Sequence, residues 1–285
     1  MKRATDLFSR LIAGALPLAL PSACAGCGVS GARVICGGCA ACLEDACVRC
    51  ARCALPLAAS ESAPAPRGFA AATVLHGAEA SHALPDPLAS LANDGACVDS
   101  DRLPQPLLCG RCIAAAPALD AALCVADYAA PADAFVLALK FHRRLALAGC
   151  LASTLARRAL AAGIVLPDVI APVPLSSRRL ASRGYNQAWE IARPFARHLR
   201  RPAVARLLKR SRDTRAQAEL PGAERHLNMR GAFDVPRAAA VRARHIGLVD
   251  DVMTSGATLD AAARALKQAG AARVTAFVIL RTPKP

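Results

Sequence analysis

Downstream of residue 120 the chain alternates two kinds of segment. Residues 123–128, 169–173, 246–249 and 274–280 are short, nearly unbroken apolar runs, bounded by polar residues or Pro. Runs so apolar over so short a length fit strands buried on both faces, as in the interior of a parallel sheet. Between them, residues 132–141, 145–162, 185–200 and 259–269 repeat apolar positions at helical spacing and predict helices, the last stopped by Gly270. Residues 203–208 predict one further strand. Strands alternating with helices define an α/β fold with a parallel-containing sheet.

Upstream the pattern changes. Residues 1–57 read as a cysteine-rich module, with a short amphipathic helix at 5–16. Lys2 and Arg3 before an apolar run imitate an export signal, but Asp6 and Arg10 interrupt the approach and Pro17 and Pro21 break the run. No stretch reaches the roughly 18–20 apolar residues that a membrane span needs, so the expected location is the cytoplasm. Residues 58–106 have the Ala, Ser, Pro and Asp content of a loop and weak periodicity, and are expected to be disordered apart from a short strand at 69–76. The module resumes at Cys109 and Cys112, within 107–116, and the α/β domain spans 120–285.

Charge is divided along the same boundary. The net charge is +15, yet residues 1–125 hold 9 Lys/Arg against 10 Asp/Glu while residues 126–285 hold 27 against 11. A field of that sign gathers anions, phosphorylated small molecules and nucleic acids alike. Aromatic residues are only 4% of the chain, which weighs against base stacking as the main grip of a single-strand binder. Tyr185, Trp189 and Phe233 are the obvious stacking candidates in the basic region.

The most informative string is Ile246 to Thr258. An apolar strand ends on two adjacent acids, Asp250 and Asp251, followed by Val252-Met253 and then by Thr254, Ser255, Gly256, Ala257 and Thr258, before a helix. Small residues let backbone N–H groups close on a phosphate, and the helix N-terminus favours the same anion. Phosphate would repel the two carboxylates, so they suit ribose hydroxyls or a Mg²⁺ ion instead. The string resembles the motif of the type I phosphoribosyltransferases. That resemblance implies a substrate, phosphoribosyl diphosphate (PRPP), with the 5-phosphate on Thr254 to Thr258 and the ribose hydroxyls on Asp250 and Asp251.

Arg178, Arg179 and Arg183 follow the strand at 169–173 and a Pro turn, which places guanidinium forks at the mouth of the sheet as candidates for diphosphate. Asn186 has the position of a helix cap. A basic loop from Lys209 to Arg215, then Arg225 and Asn228, suits a lid over a charged ligand. Together with Leu139-Lys140-Phe141 and Arg183-Gly184-Tyr185-Asn186-Gln187, these strings resemble the ComF (competence protein F) family, including its GntX-like members. The resemblance implies a type I phosphoribosyltransferase-like sheet with flanking helices, preceded by a zinc-ribbon-like module. It also implies a role in natural competence, with imported single-stranded DNA and the DNA-uptake machinery as partners.

The chain has 13 cysteines. Cys24-x2-Cys27 and Cys36-x2-Cys39 have the spacing of two knuckles closing a tetrahedral Zn²⁺ site. Cys50-x2-Cys53 and Cys109-x2-Cys112 are similar to the split second cluster of the ComF family. Cys47-x2-Cys50 is also a spacing match, so Cys47 competes for a place in that second set, and Cys42 adds to the count. Two functional classes fit. One is Mg²⁺-dependent phosphoribosyl transfer to an unidentified acceptor, with Lys140 and Lys209 as candidates to stabilise the leaving diphosphate. The other is a non-catalytic nucleic-acid-binding protein that uses PRPP as a regulatory or structural ligand.

Overall fold

A computed structural model describes residues 22–31, 33–43, 47–57, 106–211 and 231–283. The helix expected at 5–16, the strand at 69–76, the disorder expected across 58–106 (Pro106 apart), and the stretch of the basic loop holding Arg215, Arg225 and Asn228 lie outside the described residues.

In chain order the elements are β1 (Ser22–Ala23), β2 (Ser30–Gly31), α1 (Gly37–Ala41), α2 (Gly110–Ala114), β3 (Ala121–Asp127), α3 (Ala132–Phe141), α4 (Ala146–Ala161), β4 (Val169–Pro172), α5 (Ser177–Arg183), α6 (Gln187–His198), β5 (Lys209–Arg210), β6 (Phe233–Asp234), β7 (His245–Met253), α7 (Ala257–Gln268) and β8 (Arg273–Arg281). The main sheet runs β3-β8-β7-β4, all parallel. Its central strands, β7 and β8, are buried along most of their length, as their unbroken apolar runs require.

Alternation along β8 sorts the core into two clusters. Phe277 and Ile279 pack with Phe135 and Leu139 of α3, Leu151 and Leu155 of α4, and Ile191 and Phe195 of α6. Phe195 and Phe277 meet ring to ring, 5.0 Å between centroids. Val274, Ala276 and Val278 pack instead with Leu259, Ala263 and Leu266 of α7.

The cysteine segments are built into these clusters. Cys24, Cys39 and Leu43 belong to the first, and Cys50, Cys53, Cys109 and Cys112 to the second. Gly26 is required where the first knuckle meets α3: a Cβ there would lie 2.8 Å from the Phe135 ring and 2.9 Å from Cys39 Sγ. Arg49 Nη1 donates to Asp127 Oδ1 at 2.8 Å and to Ala54 O at 3.1 Å, tying the second knuckle to the end of β3.

Three departures from the pattern reading bear on the site. The strand expected at 246–249 continues to Met253, because Asp250, Val252 and Met253 stay in register with Val278, Leu280 and Arg281 of β8. The acids therefore sit within the strand's last turn of pleat, not after it. Residues 177–183 form a helix, α5, capped by Ser176 Oγ on Arg179 N and ended by Gly184 at φ +82°. Residues 203–208 make no strand: one parallel bridge joins Ala203 to Ile170, and Val204, Ala205 and Arg206 are exposed. Pro202 beside it has no amide to extend the ladder and only accepts from Ile170 N.

Candidate functional site

Beyond the carboxyl ends of the parallel strands opens a cavity of about 710 Å³, lined among others by Tyr128, Lys140, Phe141, Arg179, Arg183, Gln187, Arg210, Asp250, Asp251, Thr254 and Thr258. This is where open α/β sheets hold ligands. One wall is acidic. Asp251 is nearly buried, and Val252 N donates to its Oδ1 at 2.8 Å. Its Oδ2 has no hydrogen bond and lies 2.9 Å from Lys140 Nζ, an ion pair in the cavity wall with the lysine side chain still 20% exposed. Asp250 Oδ1 accepts from Asp251 N at 2.9 Å. Burial, and then the neighbouring Asp251 charge, push the Asp250 carboxyl up to about 8.

The opposite end is the small-residue loop entering α7. Gly256 caps the helix at φ +84°, a left-handed conformation that glycine adopts without strain, and a Cβ there would lie 2.8 Å from Met253 Cε. Ser255 Oγ accepts from Ala257 N at 3.3 Å. Asp260, an acid in the first turn, is turned to other work: it accepts from Ala118 N at 2.6 Å and from Arg264 at 2.8 Å. Of the five loop residues singled out in the sequence, Thr254 and Thr258 line the large cavity. Ser255 and Gly256 line a smaller cleft of about 350 Å³ with Arg111 and Arg264, and Ala257 is buried.

The basic residues divide. Arg179 and Arg183 line the cavity, and Arg183 bonds Gln187 Oε1 and lies over the Phe141 ring, 5.6 Å from its centre. Arg178 is exposed and does not line it. Of the two lysines, Lys140 lines the cavity and Lys209 does not. Lys209 is exposed on β5, where side chains alternate, and its neighbour Arg210 reaches the cavity instead, stacked 5.7 Å from the Phe233 ring. Asn186 is a cap, accepting from Ala188 N and donating to Val173 O, both at 3.0 Å.

A residue with no signal in its local sequence pattern holds the loop. Arg281 is 2% exposed, and it donates to Cys53 O at 2.9 Å, Met253 O at 3.1 Å, Thr282 O at 2.6 Å and also to Thr254 O. Arg111 Nη2 donates to Ser255 O at 3.3 Å. Two arginines thus fasten the loop to the second cysteine set.

Both cysteine sets are assembled: Cys24, Cys27, Cys36 and Cys39 in one, Cys50, Cys53, Cys109 and Cys112 in the other, with all four sulfurs of each within 4.8 Å of one another. Cys27 and Cys36, and Cys53 and Cys109, have their Sγ atoms 3.6 Å apart. Four thiolates around a metal at about 2.3 Å would be about 3.8 Å apart, so both sets fit a tetrahedral ion. Burial opposes ionisation of Cys24, but the backbone N–H groups of Cys36, Cys27 and Gly26 outweigh it and lower that thiol to about 6. Burial raises Cys39 to about 12, helped by its sulfur neighbours. Cys50 is lowered to about 7 by backbone N–H groups in the same way. Cys42 and Cys47 are exposed and join neither set, and Cys124 is a buried core thiol raised to about 11 by desolvation.

Residues 165–285 match the phosphoribosyl transferase domain family, which defines the class of the α/β half. The DNA utilization protein YhgH of Escherichia coli O157:H7 is 37% identical over 180 residues, covering 62% of this chain and 78% of that protein. Competence protein F of Haemophilus influenzae is 29% identical over 180 residues, covering 61% and 78%. Competence protein ComFC of Bacillus subtilis is 35% identical over 122 residues, covering 41% and 48%. The chain belongs to the ComF family of phosphoribosyltransferase-like proteins. Among the described residues no helix is long and apolar enough to cross a membrane.

Proposed function

We propose that the large cavity binds PRPP and that the protein serves the uptake and use of single-stranded DNA, together with the DNA-uptake machinery. The observation that carries the ligand is the joining, in one cavity, of the Asp250–Asp251 pair with Thr254 and Thr258 at the entrance to α7. In this reading the backbone amides of residues 254–258 and the two threonine hydroxyls take the 5-phosphate. The carboxylates accept from the ribose hydroxyls, with Lys140 paired to Asp251 and orienting it. Arg179, Arg183 and Arg210 face the diphosphate. Mg²⁺, when bound, supplies charge neutralisation on the diphosphate oxygens. The partner reading draws on the relatives' names, competence protein F and DNA utilization protein.

Transfer, where an acceptor is present, forms a bond from the acceptor to C1 and breaks the C1–O bond, and diphosphate leaves with the electron pair. The arginines stabilise that developing charge. The two cysteine sets hold structural Zn²⁺, which the four-sulfur donor set favours. Calorimetry with PRPP and Mg²⁺ tests the ligand: the wild type binds and the Asp250→Asn, Asp251→Asn double variant loses binding by more than ten-fold. Equal affinity in the two proteins would overturn the assignment. Diphosphate release over a panel of acceptors then separates turnover from a purely regulatory use of PRPP.

A further inference from the structure

The basic surface at the cavity mouth extends past the cavity itself: Arg179, Arg183 and Phe141 line the cavity, while Arg143, Arg144 and Arg178 lie outside it and are not accounted for by the phosphosugar. It is built from the turn after α3, Phe141 to Arg144, and from α5. The two segments meet where Arg183 lies over Phe141 and where Arg143 Nη2 would lie 3.9 Å from a Cβ on Gly184, the cap of α5; next to them Tyr185 Oη donates to Leu139 O. The patch carries Arg143, Arg144, Arg178, Arg179 and Arg183 and no acidic residue anywhere in 141–145 or 176–186. Among the described residues none of the five has a carboxylate partner. Such a cluster raises the local concentration of a polyanion at this face. In its midst Phe141 is 66% exposed, with the Arg183 guanidinium over its ring.

Cations without acids around an exposed aromatic are the chemistry that grips single-stranded nucleic acid, with phosphates on the arginines and a base on the ring. A duplex keeps its bases stacked inside and offers nothing to Phe141. We infer that this patch is the docking surface for a single strand, running past the acidic end of the cavity where Lys140 precedes Phe141. The inference rests on the reading above for the class of partner, while the surface itself stands on its own contacts.

Fluorescence anisotropy with an oligo-dT of about 20 nucleotides tests it, on the full chain and on the triple variant Arg143→Gln, Arg144→Gln, Arg178→Gln, none of which lines the cavity. Each phosphate contact on a single strand adds about 0.7 to the log–log salt slope, so the variant's slope becomes shallower by about 2, with affinity at about 0.1 M salt down ten-fold or more. Phe141→Ala costs about five-fold or more on the same probe, through the lost stack. A wild type that ignores oligo-dT, a variant matching wild type in affinity and slope, or equal binding of the matching duplex would each overturn the proposal. PRPP calorimetry on the triple variant keeps the two readings apart: retained PRPP affinity with lost strand binding supports the patch, and failure of PRPP to bind the wild type strikes only the cavity assignment.

Discussion

Replacing Arg281 with Met removes a side chain that bonds both the loop entering α7 and a cysteine of the second set. The losses are unequal. Met253 O keeps its bond from Thr282 N at 3.0 Å, and Thr254 is exposed enough for its carbonyl to find water. Cys53 O, on a residue 5% exposed, has no other donor among the described residues. A stranded buried carbonyl costs about 1–3 kcal/mol, and at about 2–4 °C per kcal/mol for a domain of this size the melting temperature falls by roughly 2–12 °C. Binding suffers separately, because Thr254 must be ordered again when the phosphate arrives, while Arg111 still holds Ser255. Fixing one residue costs about 1–2 kcal/mol, so PRPP affinity falls by about five- to thirty-fold. Differential scanning fluorimetry and calorimetry on one preparation read both numbers. Arg264→Met, which removes only an exposed i,i+4 pair with Asp260, serves as control and moves neither. A melting shift with PRPP affinity within two-fold of wild type would refute the idea that Arg281 positions the loop.

Because burial and Asp251 push the Asp250 carboxyl up to about 8 in the free protein, while ribose hydroxyls favour its ionised form, binding near neutrality releases a proton. PRPP affinity therefore rises as pH climbs from 6 toward 8 and levels off above. Calorimetry in buffers of different ionisation enthalpy counts the proton, and Asp250→Asn abolishes that part of the dependence. Gly256→Ala forces a Cβ into φ +84° and against Met253, so it destabilises by about 1 kcal/mol or more and weakens PRPP further, read by melting and calorimetry together. Elemental analysis finds about two zinc ions per chain, and Cys27→Ser loses one while the second set keeps its own.

The sheet was legible because β7 and β8 are buried on both faces, so their runs of Val, Ile and Leu carry the fold in one dimension. The turn into α7 was legible for a related reason: a run of small residues between a buried strand and an apolar-periodic helix marks a tight turn, and Gly256 makes it at φ +84°. Helix α5 was not, because none of its residues is buried and apolar periodicity has nothing to register. Its caps, Ser176 and Gly184, were the available signal. The choice between Lys209 and Arg210 turned on which face of a two-residue strand meets the cavity, a fact set by pairing with Phe233–Asp234 and invisible locally. Arg281 looked like the polar end of a strand, and its role depends on Cys53, which is 228 positions away in the sequence. Phe141 ends an amphipathic helix whose apolar positions are largely core, so its pattern gives no sign that it is exposed beside the basic surface.

The central claim is that one cavity holds a phosphosugar with its phosphate at the α7 entrance and its hydroxyls on the acid pair. A crystal structure of the protein with PRPP and Mg²⁺ tests it directly. The expected result is a phosphate within hydrogen-bond distance of the 254–258 amides and both ribose hydroxyls on the Asp250 and Asp251 carboxylates. A phosphosugar bound elsewhere, with the Lys140–Asp251 pair unchanged and the loop empty, would contradict it.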